Sequence, residues 1–133
     1  MTSERSAGII KDLLAAFCDF EAGPEAIGRF FTPDYQQSVD GKVIDLKGFM
    51  DHVRALRATL VSIDIEIQQI VSDGVSAATV HVVRAAKRSG EMATVKVVAF
   101  YRFDGERIAS IDELTHVLEG HAGDRELGSM LSE

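Results

Sequence analysis

The tightest constraint on this chain lies in its second half. Three long extended runs follow one another there: Val75 to about Arg88, Glu91 to Phe103, and Arg107 to Val117. Only Ser89-Gly90 and the segment opened by Asp104-Gly105 separate them. Links this short join antiparallel neighbours, because parallel neighbours need a crossover of a dozen or more residues. Much of each run is apolar at both odd and even positions, so both faces of the resulting sheet call for cover. Helices supply one layer, and a partner subunit is the simplest second.

The first half supplies the helices. Ile10, Leu13, Leu14 and Phe17 fall on one helix face. Gly23-Pro24 stops that helix and starts another, in which Ile27, Phe30 and Phe31 form the apolar side and Pro33 the end. Tyr35 to Val39 and Lys42 to Leu46 flank Asp40-Gly41, a pair suited to a hairpin turn with positive φ at both central residues. Asp45 is placed to cap a third helix, with Phe49, Val53, Leu56 and Leu60 on one face. Ile63, Ile65 and Ile67 then alternate with polar residues as a half-buried strand, and Ser72-Asp73-Gly74 turns into the long runs. The order α-α-β-β-α-β-β-β-β predicts an α+β domain: three N-terminal helices on a strongly curved antiparallel sheet.

At 133 residues one domain is expected, spanning 1–133. The segment 118–133 reads as a tail or a lid, with Leu127, Met130 and Leu131 at the spacing of a short docked turn. The formal charge is −7, and Glu119, Asp124, Glu126 and Glu133 concentrate acidity in that tail. An acidic balance argues against nucleic acid as partner. No apolar run approaches the ~20 residues of a membrane span, and the start lacks the order of a signal peptide. Cys18, with no second cysteine, fits a reducing compartment. A cytoplasmic protein with no membrane association is the expectation.

Taken together, the chain resembles the nuclear transport factor 2-like superfamily, in its SnoaL-like, ketosteroid-isomerase-like branch. The resemblance runs from about Ile9 to Val117. It is carried by Gly23-Pro24-Glu25-Ala26-Ile27, Phe30-Phe31-Thr32-Pro33-Asp34-Tyr35, Asp73-Gly74-Val75, and Phe103-Asp104-Gly105-Glu106-Arg107-Ile108 in this order. It implies a cone-shaped barrel around an apolar pocket that takes a small organic ligand, no cofactor, and a homodimer joined through the outer sheet face. The departures are as informative. The positions where ketosteroid isomerases carry their proton-shuttling Asp, oxyanion-holding Tyr and second oxyanion acid fall at about Val39, Ala16 and Ala99, all apolar here. Ser38 stands where SnoaL-like cyclases often have His. Fold alone therefore does not settle function.

Glu113 is the leading candidate for chemistry. Alternation along the last strand puts Ile111, Glu113 and Thr115 on one face and Ser110, Asp112 and Leu114 on the other. In similar proteins the first set lines the cavity. A slip of one residue exchanges Glu113 for Asp112. A carboxyl isolated in an apolar cone has a raised pKa, suited to proton transfer near neutral pH. His52, on the apolar side of the third helix, and His81, on the less charged side of its strand, are candidate assistants. Each is also readable as a packed core or interface residue. Tyr35 and Gln37 share a strand face and offer a hydroxyl and an amide to a ligand oxygen, with Ile111 and Thr115 beside them. Tyr101 reads as core, and so does Cys18. His116, Glu119 and His121 do not make a metal site, since convergent ligands with fixed partners are required.

Two functional readings follow. In one the protein performs cofactor-independent acid–base isomerisation or cyclisation of a carbonyl compound. In the other it is a non-catalytic ligand-binding or dimerisation module.

Overall fold

The computed structural model describes residues 1–121 and Asp124. The expected docked turn at Leu127, Met130 and Leu131 lies outside the described residues. Helix α1 (Ser3–Cys18) and the short α2 (Glu25–Gly28) lead into the hairpin β1 (Phe31–Val39) and β2 (Lys42–Asp45). Helix α3 (Leu46–Thr59) follows, then four long strands: β3 (Leu60–Ser72), β4 (Ser76–Lys87), β5 (Met92–Asp104) and β6 (Arg107–Glu119). The strands form one curved, open sheet in the order β2-β1-β6-β5-β4-β3. Helix α1 lies along β3, while α3 packs against β1 and β2.

Local chemistry sets the boundaries. Thr2 caps α1, its side chain accepting from the Arg5 amide, and Asp45 caps α3 by accepting from the Gly48 amide. Asp40 and Gly41 both have positive φ, 49° and 89°, as the β1–β2 turn requires. Arg57 on α3 donates to the carbonyls of Ala16, Asp19 and Ala22, at 3.1 Å and 2.9 Å for the first two. Its guanidinium also stands 5.1 Å from the Phe20 ring centre. One side chain thus ties α3 to carbonyls at the end of α1 and in the loop just after it.

Two features depart from the sequence expectation. The sheet is mixed, because β1 runs parallel to β6. A short-range turn signal describes its own hairpin and carries nothing about which distant strand lies alongside. Phe31 and Pro33 belong to β1 and not to the second helix, which stops at Gly28. The β1–β6 register shifts between Phe31 and Gln36, so Pro33, which has no amide to donate, falls in the gap between paired positions.

The core fills the space between helices and sheet. Phe17, Phe31, Tyr35 and Phe49 meet edge-on or tilted, with ring centres 4.2–6.1 Å apart. Beneath them lie the inward side chains of β4 to β6, including Ala77, Val83, Val95, Val97 and Ile108. The opposite face is a different surface. Val98 is 50% exposed, Phe100 41% and Leu114 67%, and nothing among the described residues covers them. Among the described residues no helix is long and apolar enough to cross a membrane.

Candidate functional site

Strand register determines which side chains meet beneath the helices. On the inward face Glu113 pairs laterally with Val39 of β1 and with Ala99 of β5, and Ala99 pairs with Thr79 of β4. One row below, Gln37, Ile111, Tyr101 and Ala77 are matched in the same way. One row above, Thr115, Val97 and His81 are matched. An unusual number of polar groups is therefore buried among apolar ones. Gln37, Thr79, His81 and Glu113 are all at most 7% exposed, as are Tyr35 and Tyr101.

Glu113 is the outlier. Its Oε2 atom has no hydrogen-bond partner among the described residues. Burial, reinforced by the negative charges of Asp40 and Asp112, pushes its pKa up to about 8. Asp112 is exposed on the outer face, so of the two candidate acids Glu113 is the one inside. Burial and the nearby Glu113 also raise Tyr35 well above an ordinary phenol. Tyr101 is raised in turn by burial and by Glu113, against the opposing Thr79 hydrogen bond. The three groups thus occupy one electrostatic neighbourhood.

Two short hydrogen-bonded sets flank the acid. The Tyr35 hydroxyl donates to Gln37 Oε1 at 2.9 Å. Thr79 Oγ1 lies 2.9 Å from His81 Nδ1 and 2.8 Å from the Tyr101 hydroxyl. His81 is pushed down to about 4 by burial, so it is neutral at pH 7. Thr115 is already engaged: its amide and its hydroxyl both donate to the Asp40 carboxylate, at 3.0 Å and 2.5 Å. Ile111 is buried between Gln37 and Tyr101 in the register.

The structure therefore brings together Glu113, Tyr35, Gln37, Ile111 and, through Thr79, His81. His52 is buried on α3 within the helix layer. Thr79 and Tyr101 belong to this cluster although sequence reading treated Tyr101 as core and gave Thr79 no role. The available signal was a hydroxyl at inward positions of two adjacent strands. Cys18 is half-buried, donates to the Leu14 carbonyl, and has a thiol pushed up by burial. His121 pairs with Glu91 at 3.0 Å, and no group of metal-capable side chains forms among the described residues. At neutral pH the inward face can donate and accept hydrogen bonds and exchange one proton at Glu113. It carries no lysine or arginine among the described residues, since all the strand cations point outward or sit at strand ends.

Helices packed on one face of a curved, open sheet give the α+β architecture of the nuclear transport factor 2-like fold. The chain belongs to the SnoaL-like domain family, whose pattern matches residues 11–111. It is 50% identical over 128 residues to an uncharacterized protein of Schizosaccharomyces pombe, covering 96% of this chain and 98% of that one. Its fold is similar to a Catenulispora acidiphila protein with a ketosteroid isomerase-like fold, in complex with trimethylamine. That match has a TM-score of 0.70 and 16% identity, over 93% of each chain. It is also similar to an LEH-like epoxide hydrolase from M. tuberculosis, with a TM-score of 0.74 and 13% identity, over 86% of this chain and 84% of that one.

Proposed function

We propose that this protein binds a small, mainly apolar, uncharged organic molecule carrying a carbonyl group against the inner face of the sheet. It acts on that molecule by cofactor-independent acid–base chemistry, isomerisation or cyclisation, with Glu113 exchanging the proton. The observation that carries this reading is a buried carboxyl with an unpartnered oxygen and a pKa pushed up to about 8. Such a group is matched to proton transfer near neutral pH, where both of its states are within reach. In its neutral form Glu113 donates to the ligand oxygen, and in its ionised form it takes a proton from carbon. Tyr35 and Gln37 orient the ligand, and His81 acts as a neutral partner through Thr79. The epoxide hydrolase among the fold neighbours agrees with a small-molecule site, without naming the reaction.

A second reading, a ligand-binding module without chemistry, is favoured by Val39, Ala16 and Ala99, which are apolar where ketosteroid isomerases carry their reactive groups. A thermal-shift and turnover screen of carbonyl compounds separates the two. Turnover by wild type that disappears in Glu113→Gln while binding persists supports catalysis. Binding with no turnover across the screen supports the module.

The outer face supports a homodimer. Val80 pairs with Val98 and Val98 with Leu114, an apolar band across three strands with Phe100 beside it. A second copy related by a two-fold axis would cover this band with its own. Light scattering across the micromolar range tests the dimer, and a monomer throughout would remove it.

A further inference from the structure

Resting on the Glu113 reading above, the polar chain beside the acid narrows the ligand class. Thr79 Oγ1 has one proton and two neighbours, His81 Nδ1 at 2.9 Å and the Tyr101 hydroxyl at 2.8 Å. With one proton and two lone pairs it can donate to only one of them, and it accepts from the other. A phenol is a stronger donor than an aliphatic hydroxyl, and a neutral imidazole nitrogen is a stronger acceptor than a phenol oxygen. Both preferences run the same way. The Tyr101 proton goes to Thr79, the Thr79 proton goes to His81 Nδ1, and the His81 proton resides on Nε2.

The consequence appears at the other end of the chain. With its own proton committed to Thr79, Tyr101 has only lone pairs left to offer. Its strand neighbour on the Glu113 side is Ala99, in register with Glu113, and Ala99 brings only a methyl group to that side. We propose that His81, Thr79 and Tyr101 form a proton-ordered chain that makes Tyr101 an acceptor beside the donor Glu113, so that the site takes a hydroxycarbonyl compound. The ligand carbonyl accepts from Glu113, and the ligand hydroxyl donates to Tyr101. Thr79 and His81 are positioning residues in this arrangement, because they fix the direction of the Tyr101 hydroxyl without meeting the ligand. A plain ketone satisfies Glu113 and leaves Tyr101 unanswered.

The order of the chain is measurable without any ligand. Nuclear magnetic resonance of protein labelled with nitrogen-15 at histidine should show His81 neutral at pH 7 with the proton on Nε2, and that preference should weaken in Thr79→Val. A proton on Nδ1 would overturn the proposal, since His81 would then donate to Thr79 and leave the Thr79 proton free to turn to Tyr101. Binding gives the second arm, using acetoin and butanone, which share a four-carbon skeleton. Acetoin should bind wild type about tenfold more tightly, the scale of one hydrogen bond, and the preference should vanish in Tyr101→Phe. Equal binding of the two by wild type would overturn the proposal. If neither perturbs the Glu113 neighbourhood, the carbonyl reading of the site fails, and the His81 tautomer still decides the direction of the chain.

Discussion

Asp40 and Glu113 are tied together through the backbone. The Asp40 amide donates to the Glu113 carbonyl at 3.0 Å, while the Asp40 carboxylate receives the amide and hydroxyl of Thr115. The β1–β2 turn is thereby fastened to β6 beside the buried acid, and a negative charge is held where it opposes ionisation of Glu113. Asp40→Asn removes that charge and keeps a residue at ease with positive φ. The Glu113 pKa should fall in this variant, measured as the titration midpoint of its carboxyl carbon. A midpoint unchanged from wild type would show that the Asp40 charge contributes nothing to the raised acid.

Glu113 and His81 make stability depend on pH in opposite directions. Glu113 is raised from 4.5 to about 8, so its stabilisation is full below pH 4.5 and is lost as pH rises through 8. The loss is on the order of 5 kcal/mol, set by the size of that shift. Glu113→Gln should therefore match wild type near pH 4 and exceed it increasingly toward pH 8, as read from urea unfolding. His81 is lowered from 6.5 to about 4, so its stabilisation is present above 6.5 and is lost as pH falls through 4. Wild type should thus weaken on both flanks.

Arg57 offers a test of the scaffold away from the acid. Its guanidinium serves three carbonyls near the end of α1. Arg57→Ala should cost about 1–3 kcal/mol in chemical denaturation. Arg57→Lys should recover little of that, because a single ammonium does not reproduce a planar fork.

Much of this molecule was legible in the sequence where the signal is local. Asp40-Gly41 marked its turn and Asp45 its cap because each residue type answers a backbone requirement at its own position. Alternation set Glu113 and Asp112 on opposite faces, and the resemblance pointed to the Glu113 face as the inner one. The alternation survives as long as the strand contains no bulge, and β6 has none between Ser110 and Val117. What was not legible depends on distant partners. Pro33 looked like a helix stop, and becomes tolerable in β1 because of a gap in pairing with β6, more than seventy residues away. Tyr101 looked like core because its hydroxyl acquires meaning only once Thr79 is set diagonally across from it. The register also places Glu113 between Val39 and Ala99, where the resemblance expected acids. One acid thus stands in the same row, a strand away from each.

The outer face yields a separate prediction. Leu114→Arg puts a charge into the apolar band opposite Val98. A dimer built on this face should become a monomer in light scattering with the fold intact by circular dichroism. A dimer that persists would place the interface elsewhere.

If Glu113 works as proposed, the inner face holds a carboxylic acid that is uncharged at neutral pH and ready to exchange its proton. The most direct test is a titration of the wild-type Glu113 carboxyl carbon by nuclear magnetic resonance, assigned by its absence in Glu113→Gln. A midpoint near 8 is the predicted result. A midpoint near the ordinary 4.5 would mean a solvated carboxylate, and would contradict the account.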